Sequence, residues 1–232
     1  MSALADDESS SEGSAPEIGL DALRPEALAA LMEVRQARDD AAAAPPPTDG
    51  AVSEDFGLSQ FWYSDACADA LGAAVRAAAA GGRVAVVSCP SVHRALCRAG
   101  DAEAVLFEYD ARCGAHLPPA RFARYDFRAD FRAAIPAAHE AAFDFVVLDP
   151  PYVSRDCVDA FWAFATWLGR GDGAPPALFL TSVVNRDWLE ETRGLRLTNA
   201  ALDFASKLAT PLRAFTDAAA FADAAGGFAP PS

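Results

Sequence analysis

The 232-residue chain holds one lysine, Lys207, against eighteen arginines, with three histidines and two methionines. No uncharged run of about 18 apolar residues occurs, so no transmembrane helix is expected. Nor does a basic segment followed by an apolar one open the sequence. Met1 to Gly13 is acidic and Ser-rich, which predicts neither a signal peptide nor an Arg-rich transit peptide. A basic stripe is missing as well. The formal net charge is −14, which argues against a tight, non-specific DNA binder. Neither GxGxxG nor GxxxxGK[ST] is present, so a pyrophosphate or triphosphate ligand is disfavoured. The five cysteines are odd in number and form no CxxC pair. Free, mostly buried thiols in a reducing, cytoplasmic setting are expected. Cys89 with His93, and Cys113 with His116, match no zinc spacing, and no metal is expected.

The charge is unevenly spread. Residues 1–55 carry 13 acids and 3 bases, a net −10, whereas residues 56–232 carry only −4. Residues 1–19 read as a disordered acidic tail. Residues 20–55 read as a helix, Leu20 to Asp40, with an apolar stripe of Leu20, Leu23, Leu28, Leu31 and Met32, and then a Pro-rich linker. Residues 56–217 form the main domain, and residues 218–232 read as a second disordered tail.

From Phe56 onward the pattern alternates. Helices are predicted over Ser64–Ala80, Ser91–Arg98, Asp130–Ala142, Val158–Leu168 and from Arg186. Strands are predicted over Arg83–Ser88, Ala104–Tyr109, Phe122–Phe127, Phe143–Leu148, Ala177–Ser182, Leu195–Phe204 and Leu212–Thr216. Short apolar strands separated by helices specify an α/β fold, a largely parallel sheet covered on both faces. Ligands of such sheets bind at the carboxyl ends of the strands.

Asp149-Pro150-Pro151-Tyr152 follows the fourth strand. Two prolines fix two backbone angles and remove two amide donors, leaving carbonyl oxygens free as acceptors. Asp149 adds a carboxylate and Tyr152 a flat π-face. This set suits an amino group, whose N–H protons it binds and whose lone pair it aims outward at an electrophilic methyl. Glu108, at the end of the second strand, is placed to take ribose hydroxyls, with Asp110 as its competitor. Asp126, with Phe127 beside it, is placed to accept from an adenine amine. Ser88-Cys89-Pro90-Ser91 follows the first strand where nucleotide-binding folds carry a glycine-rich loop. A cofactor with adenosine and no phosphate needs no such cradle, which favours S-adenosyl-L-methionine over NAD or ATP. Ser88, Pro90 and Ser91 then bracket its amino-acid end. His93, His116 and His139 read as structural or surface residues. Cys89 has no evident general base and is not read as a nucleophile. Phe161, Trp162, Phe164 and Trp167 read as core. Phe61-Trp62-Tyr63 reads as core or as a wall of the cofactor site.

These residues carry a resemblance that spans about Leu20 to Asp217. The chain resembles the eukaryotic lysine methyltransferases that act on translation elongation factor 1-alpha, a family formerly labelled N6-adenine-specific DNA methyltransferase 2 for its Asp-Pro-Pro-Tyr motif. Matching stretches are Ala27–Leu31, Leu58-Ser59-Gln60-Phe61-Trp62-Tyr63, Ser88-Cys89-Pro90-Ser91-Val92, Phe107-Glu108-Tyr109-Asp110 and Phe143-Asp144 leading to Asp149–Tyr152. The resemblance implies a seven-stranded, Rossmann-like S-adenosylmethionine-dependent methyltransferase fold, a three-layer sandwich with the last strand antiparallel. It implies transfer of methyl to a lysine ε-amine, with a protein substrate and no membrane. By the same resemblance Asp149 to Tyr152 orient the amine, Glu108 takes the cofactor ribose, and Asp126 with Phe127 flank the adenine.

One element departs from the family pattern. Where it has Asn-Glu-Phe-Arg, this chain has Thr210, Pro211, Leu212 and Arg213. Two alternative functions stay open at this level: an N6-adenine methyltransferase on DNA or RNA, with Tyr152 stacking on a flipped base, and a non-catalytic cofactor-binding protein. The absence of a basic stripe and of a target-recognition domain disfavours nucleic acid. Oligomeric state is left open.

Overall fold

A computed structural model describes residues 52–101, 103–171, 173–206 and 211–217. The expected helix at Leu20–Asp40, most of the Pro-rich linker, the two tails and Lys207 to Thr210 lie outside the described residues.

Seven strands form one sheet in the order β3-β2-β1-β4-β5-β7-β6. They are β1 (Val84–Val87), β2 (Val105–Glu108), β3 (Phe122–Arg124), β4 (Phe145–Leu148), β5 (Ala177–Ser182), β6 (Leu195–Leu197) and β7 (Leu212–Asp217). β1 to β5 run parallel, and β7 pairs antiparallel with both β5 and β6. The order starts outward from β1 in both directions, which puts a topological switch between β1 and β4. This is the seven-stranded, Rossmann-like order that the resemblance implies, antiparallel strand included.

The period of two along each strand divides the core between the faces. Val84, Val86, Phe145, Val147, Leu178 and Leu180 point to one side, where α1 (Asp65–Ala79) and α2 (Pro90–Arg98) cover them. Ala85, Val87, Val146, Leu148, Ala177 and Phe179 point to the other, beneath α4 (Arg155–Leu168) and Leu189 of α5 (Arg186–Arg193). α3 is a single turn, Phe131–Ala134. The aromatic run expected as core is core: Phe164 stacks on Tyr125 at 4.1 Å and meets Phe107 edge-on at 5.3 Å. Each such ring stabilises the fold by roughly 2–3 kcal/mol through burial.

Local chemistry sets the helix ends. The Ser64 side chain caps α1 by accepting from the Cys67 amide at 3.3 Å. Pro90 occupies the first turn of α2, where its missing amide costs nothing. Gly72 lets α1 approach α2 closely, since a Cβ there would lie 3.2 Å from that of Ala95. The five thiols are free, and all but Cys97 are buried.

Three expected elements end well before the sequence pattern suggests. The helix expected over Asp130–Ala142 ends at Ala134, because Pro136 forces Ile135 into an extended conformation. The chain continues as a 3-10 turn, Ala137–His139. The third strand stops at Arg124, and Asp126 instead closes a turn by accepting from the Arg128 amide at 2.9 Å. The strand expected over Leu195–Phe204 ends at Leu197; the Thr198 hydroxyl then donates to the Ala214 carbonyl. Phe204 returns as an isolated antiparallel bridge to Tyr63.

Candidate active site

The carboxyl ends of β1, β2, β3 and β4 open into a cavity of about 570 Å3. Its lining includes every residue expected to bind or react: Ser88, Pro90, Ser91, Glu108, Asp126, Phe127 and the run Asp149 to Tyr152. They come from four separate strand ends, so the fold alone brings them together.

The β4 end places the tetrapeptide. The Asp149 amide donates to the Val87 carbonyl at 3.1 Å, which ties the loop to β1. Pro150 is buried, Pro151 half-buried, and Tyr152 is 40% exposed at the rim. The loop is held from below by Asn185, whose Nδ2 donates to the Val153 carbonyl at 3.0 Å. Burial pushes the Asp149 carboxyl up to about 7, and the nearby Glu108 charge adds to the effect. The Tyr63 hydroxyl and Cys89 thiol oppose it as donors facing the carboxylate.

Glu108 ends β2 only 6% exposed. Burial raises its carboxyl to about 7, while the Asp110 amide, donating to Oε1 at 3.0 Å, partly offsets the rise. Asp110, its competitor in the sequence, is already engaged. It pairs with Arg112 at 2.7 Å and accepts from Gln60 at 3.0 Å. It is absent from the cavity lining, whereas Glu108 is part of it. A buried carboxylate turned into a cavity suits paired ribose hydroxyls or a cation.

The β1 end explains how the chain dispenses with a glycine. Ser88 takes a left-handed backbone, φ 54°, the conformation a glycine supplies in such loops. Its amide donates to the Phe107 carbonyl at 2.8 Å. Cys89 caps α2 without a side-chain hydrogen bond, and Pro90 and Ser91 open the helix against the cavity. Pro90 has no amide and the His93 amide donates to the Cys89 carbonyl at 3.1 Å, so the Ser91 amide and hydroxyl are what this helix start offers a carboxylate. Burial, the aromatic wall, Ser91 and Glu108 together fit a nucleoside-bearing cofactor of the S-adenosylmethionine kind.

Phe127 and Tyr152 face each other at 6.0 Å across the mouth, with the Arg128 guanidinium 4.8 Å from the first ring and 5.7 Å from the second. Asp126 spends one carboxylate oxygen on its own turn.

Phe61-Trp62-Tyr63 walls the cavity, as the sequence offered, and two further features go beyond that reading. The first is that Gly57 to Tyr63 forms one wall as a strap. Gln60 fastens it to Asp110, Trp62 donates through Nε1 to the Val52 carbonyl at 2.7 Å, and Tyr63 bridges to Phe204. The Gln-Phe-Trp-Tyr string was its only signal. The second is Tyr125, a lining residue whose hydroxyl is buried without a partner. It follows β3 by one residue and reads as an ordinary strand aromatic.

Against known proteins, the chain is 34% identical over 172 residues to EEF1A lysine methyltransferase 1 of Mus musculus, covering 72% of this chain and 77% of that one. It is 28% identical over 177 residues to a protein-lysine N-methyltransferase of Caenorhabditis elegans, covering 72% and 79%. A solved structure of a predicted O-methyltransferase from Agrobacterium tumefaciens overlaps 64% of this chain and 79% of that one, at TM-score 0.41 and 14% identity. The family model described as "Probable N6-adenine methyltransferase" matches residues 54–220. The matched span contains the whole sheet and the cavity, and the chain belongs to this methyltransferase family.

Proposed function

We propose that the protein is an S-adenosylmethionine-dependent protein-lysine N-methyltransferase whose substrate is translation elongation factor 1-alpha, acting in the cytoplasm. The observation that carries this reading is the Asp149-Pro150-Pro151-Tyr152 loop. It puts Asp149 and two prolines in the lining of one cavity and an exposed aromatic at its mouth. The names borne by the mouse and nematode relatives support lysine as the acceptor and elongation factor 1-alpha as the substrate.

S-adenosylmethionine, when bound, would supply an electrophilic methyl to the amine nitrogen. Glu108 would take its ribose hydroxyls, Ser88, Pro90 and Ser91 would border its amino-acid end, and Asp126 with Phe127 would flank its adenine. The protein's task at the nitrogen is orientation. A lysine arrives as an ammonium with a pKa near 10.4 and attacks only as the neutral amine. Asp149 alone would hold the proton on, by stabilising the cation. Desolvation in the cavity and the sulfonium charge push the other way. Asp149 and the Pro150 carbonyl therefore accept the amine N–H groups and aim its lone pair, and the released proton goes to water. Tyr152 walls the entering side chain.

The family description names adenine N6, also an amine beside a flat ring, and the same loop would accept it. The formal charge of −14 disfavours a polyanion. The test is transfer of labelled methyl from S-adenosylmethionine to purified elongation factor 1-alpha, DNA or RNA, with Asp149→Ala as control. Label on the protein that is lost in the variant supports the lysine reading. Label on nucleic acid alone replaces it with the adenine reading.

A further inference from the structure

Tyr63 is 3% exposed, and its ring packs against Phe204 at 4.8 Å. The backbone bridge to Phe204 and the Ser64 cap immediately after it fix where the side chain starts. Its hydroxyl is buried in the wall of the cavity that Asp149 also lines and faces that carboxylate, but no protein acceptor lies at ordinary hydrogen-bond length and angle. Burying a hydroxyl without a partner is costly, and native structures seldom do so without a use for the group. Burial holds the Tyr63 hydroxyl well above its ordinary pKa, so it keeps its proton and serves as a donor.

We propose that Tyr63 is a positioning residue of this site. Its hydroxyl donates to one oxygen of the Asp149 carboxylate, so that the other oxygen is presented to the incoming nitrogen. The identity of that nitrogen rests on the lysine reading above, while the Tyr63–Asp149 coupling does not. Nothing is transferred to or from Tyr63: the hydrogen bond forms, the proton stays on oxygen, and the proton released by the amine goes to water.

Four titratable groups face or influence Asp149. Tyr63 comes from the strap, Cys67 from the first turn of α1, Cys89 from the loop after β1, and Glu108 from the end of β2. Tyr63 and Cys89, facing it as donors, favour its ionised form, and the Glu108 charge disfavours it. Loss of the Tyr63 donor therefore makes Asp149 harder to ionise.

The test is a carbon-13 NMR titration of labelled aspartate carboxyls in the full chain, with Asp149→Asn identifying the signal. In Tyr63→Phe, which keeps the ring on Phe204, the Asp149 titration is expected to move up by about one unit. The kcat for methyl transfer is expected to fall about tenfold at neutral pH while S-adenosylmethionine affinity stays unchanged. An Asp149 titration that does not move overturns the proposal, whatever happens to activity. Cys89→Ser, which keeps a donor beside the same carboxylate, is expected to leave the titration near its wild-type position. If the wild type transfers no methyl to any protein, the lysine reading fails, and the titration still decides the role of Tyr63.

Discussion

The Gln60 side-chain amide donates to the Asp110 carboxylate at 3.0 Å, across 50 residues of sequence. Its carbonyl accepts from the Asp55 amide at 3.0 Å. One buried glutamine thus clamps the strap that walls the cavity to the end of β2. Arg112 on the other side holds the Asp110 carboxyl below its ordinary range against the opposing effect of burial. Gln60→Ala is expected to cost about 1–2 kcal/mol of stability, by leaving the Asp55 amide and part of Asp110 without partners. Cofactor affinity is expected to fall about tenfold as the strap loosens. Calorimetric titration with S-adenosylmethionine, alongside denaturant unfolding, measures both. Unchanged affinity would mean that the strap keeps its place without the clamp.

The buried carboxyl at Glu108 makes stability depend on pH in a definite direction. Its folded pKa of about 7 lies above the ordinary value of 4.5. Folded protein therefore holds the proton more tightly than unfolded chain. The stability this provides is complete below about pH 4 and is lost as pH rises through 7. Glu108→Gln is expected to be more stable than wild type by about 1–3 kcal/mol near pH 8, with the gap closing toward pH 4. His93, held down to about 4 by burial, titrates in the opposite sense but is common to both proteins. Thermal unfolding of the pair across that range checks the claim, and parallel curves would refute it.

Affinity for a cationic cofactor should follow the same carboxyl. Below about pH 7 Glu108 is protonated in the empty cavity and must ionise to bind a sulfonium-bearing ligand well. S-adenosylmethionine is expected to bind several-fold more weakly near pH 6 than near pH 8, and Glu108→Gln to flatten the dependence while weakening binding about tenfold. A pH dependence identical in the variant would assign it to another group.

Much of this was legible in the sequence, for identifiable reasons. β5 was readable to the residue: Ala177–Ser182 is apolar, β-branched or small throughout and starts directly after Pro176. The strand-end residues could be listed because a parallel sheet puts loop chemistry at one edge. What the pattern missed depended on tertiary pairing. Nothing local to Leu195–Phe204 reveals that pairing stops at Leu197 and that Phe204 is instead spent against Tyr63. The sequence favoured Glu108 as the ribose ligand by its place at the strand end, but only Gln60, fifty residues earlier, shows that its competitor Asp110 is already engaged. The glycine-free loop likewise reads as an absence, whereas Ser88 adopts the left-handed conformation itself.

Tyr152 separates binding from stability. It is 40% exposed and meets Phe127 only at 6.0 Å, so the fold does not depend on it. Tyr152→Ala is expected to shift stability by no more than about 0.5 kcal/mol. The same change should lower kcat/KM for the protein substrate roughly 10- to 100-fold, whereas Tyr152→Phe retains most of the activity. Steady-state kinetics of both variants tests this, and a Tyr152→Phe enzyme as impaired as Tyr152→Ala would show that the hydroxyl matters more than the ring.

The most direct test of the account is labelled-methyl transfer from S-adenosylmethionine to elongation factor 1-alpha by wild type and Asp149→Ala, with cofactor affinity measured on both. The account predicts protein labelling by the wild type, loss of at least about 100-fold in the variant, and cofactor affinity retained within a few-fold. Full transfer by Asp149→Ala would contradict it, because the carboxylate at the end of β4 would then have no part in orienting the amine.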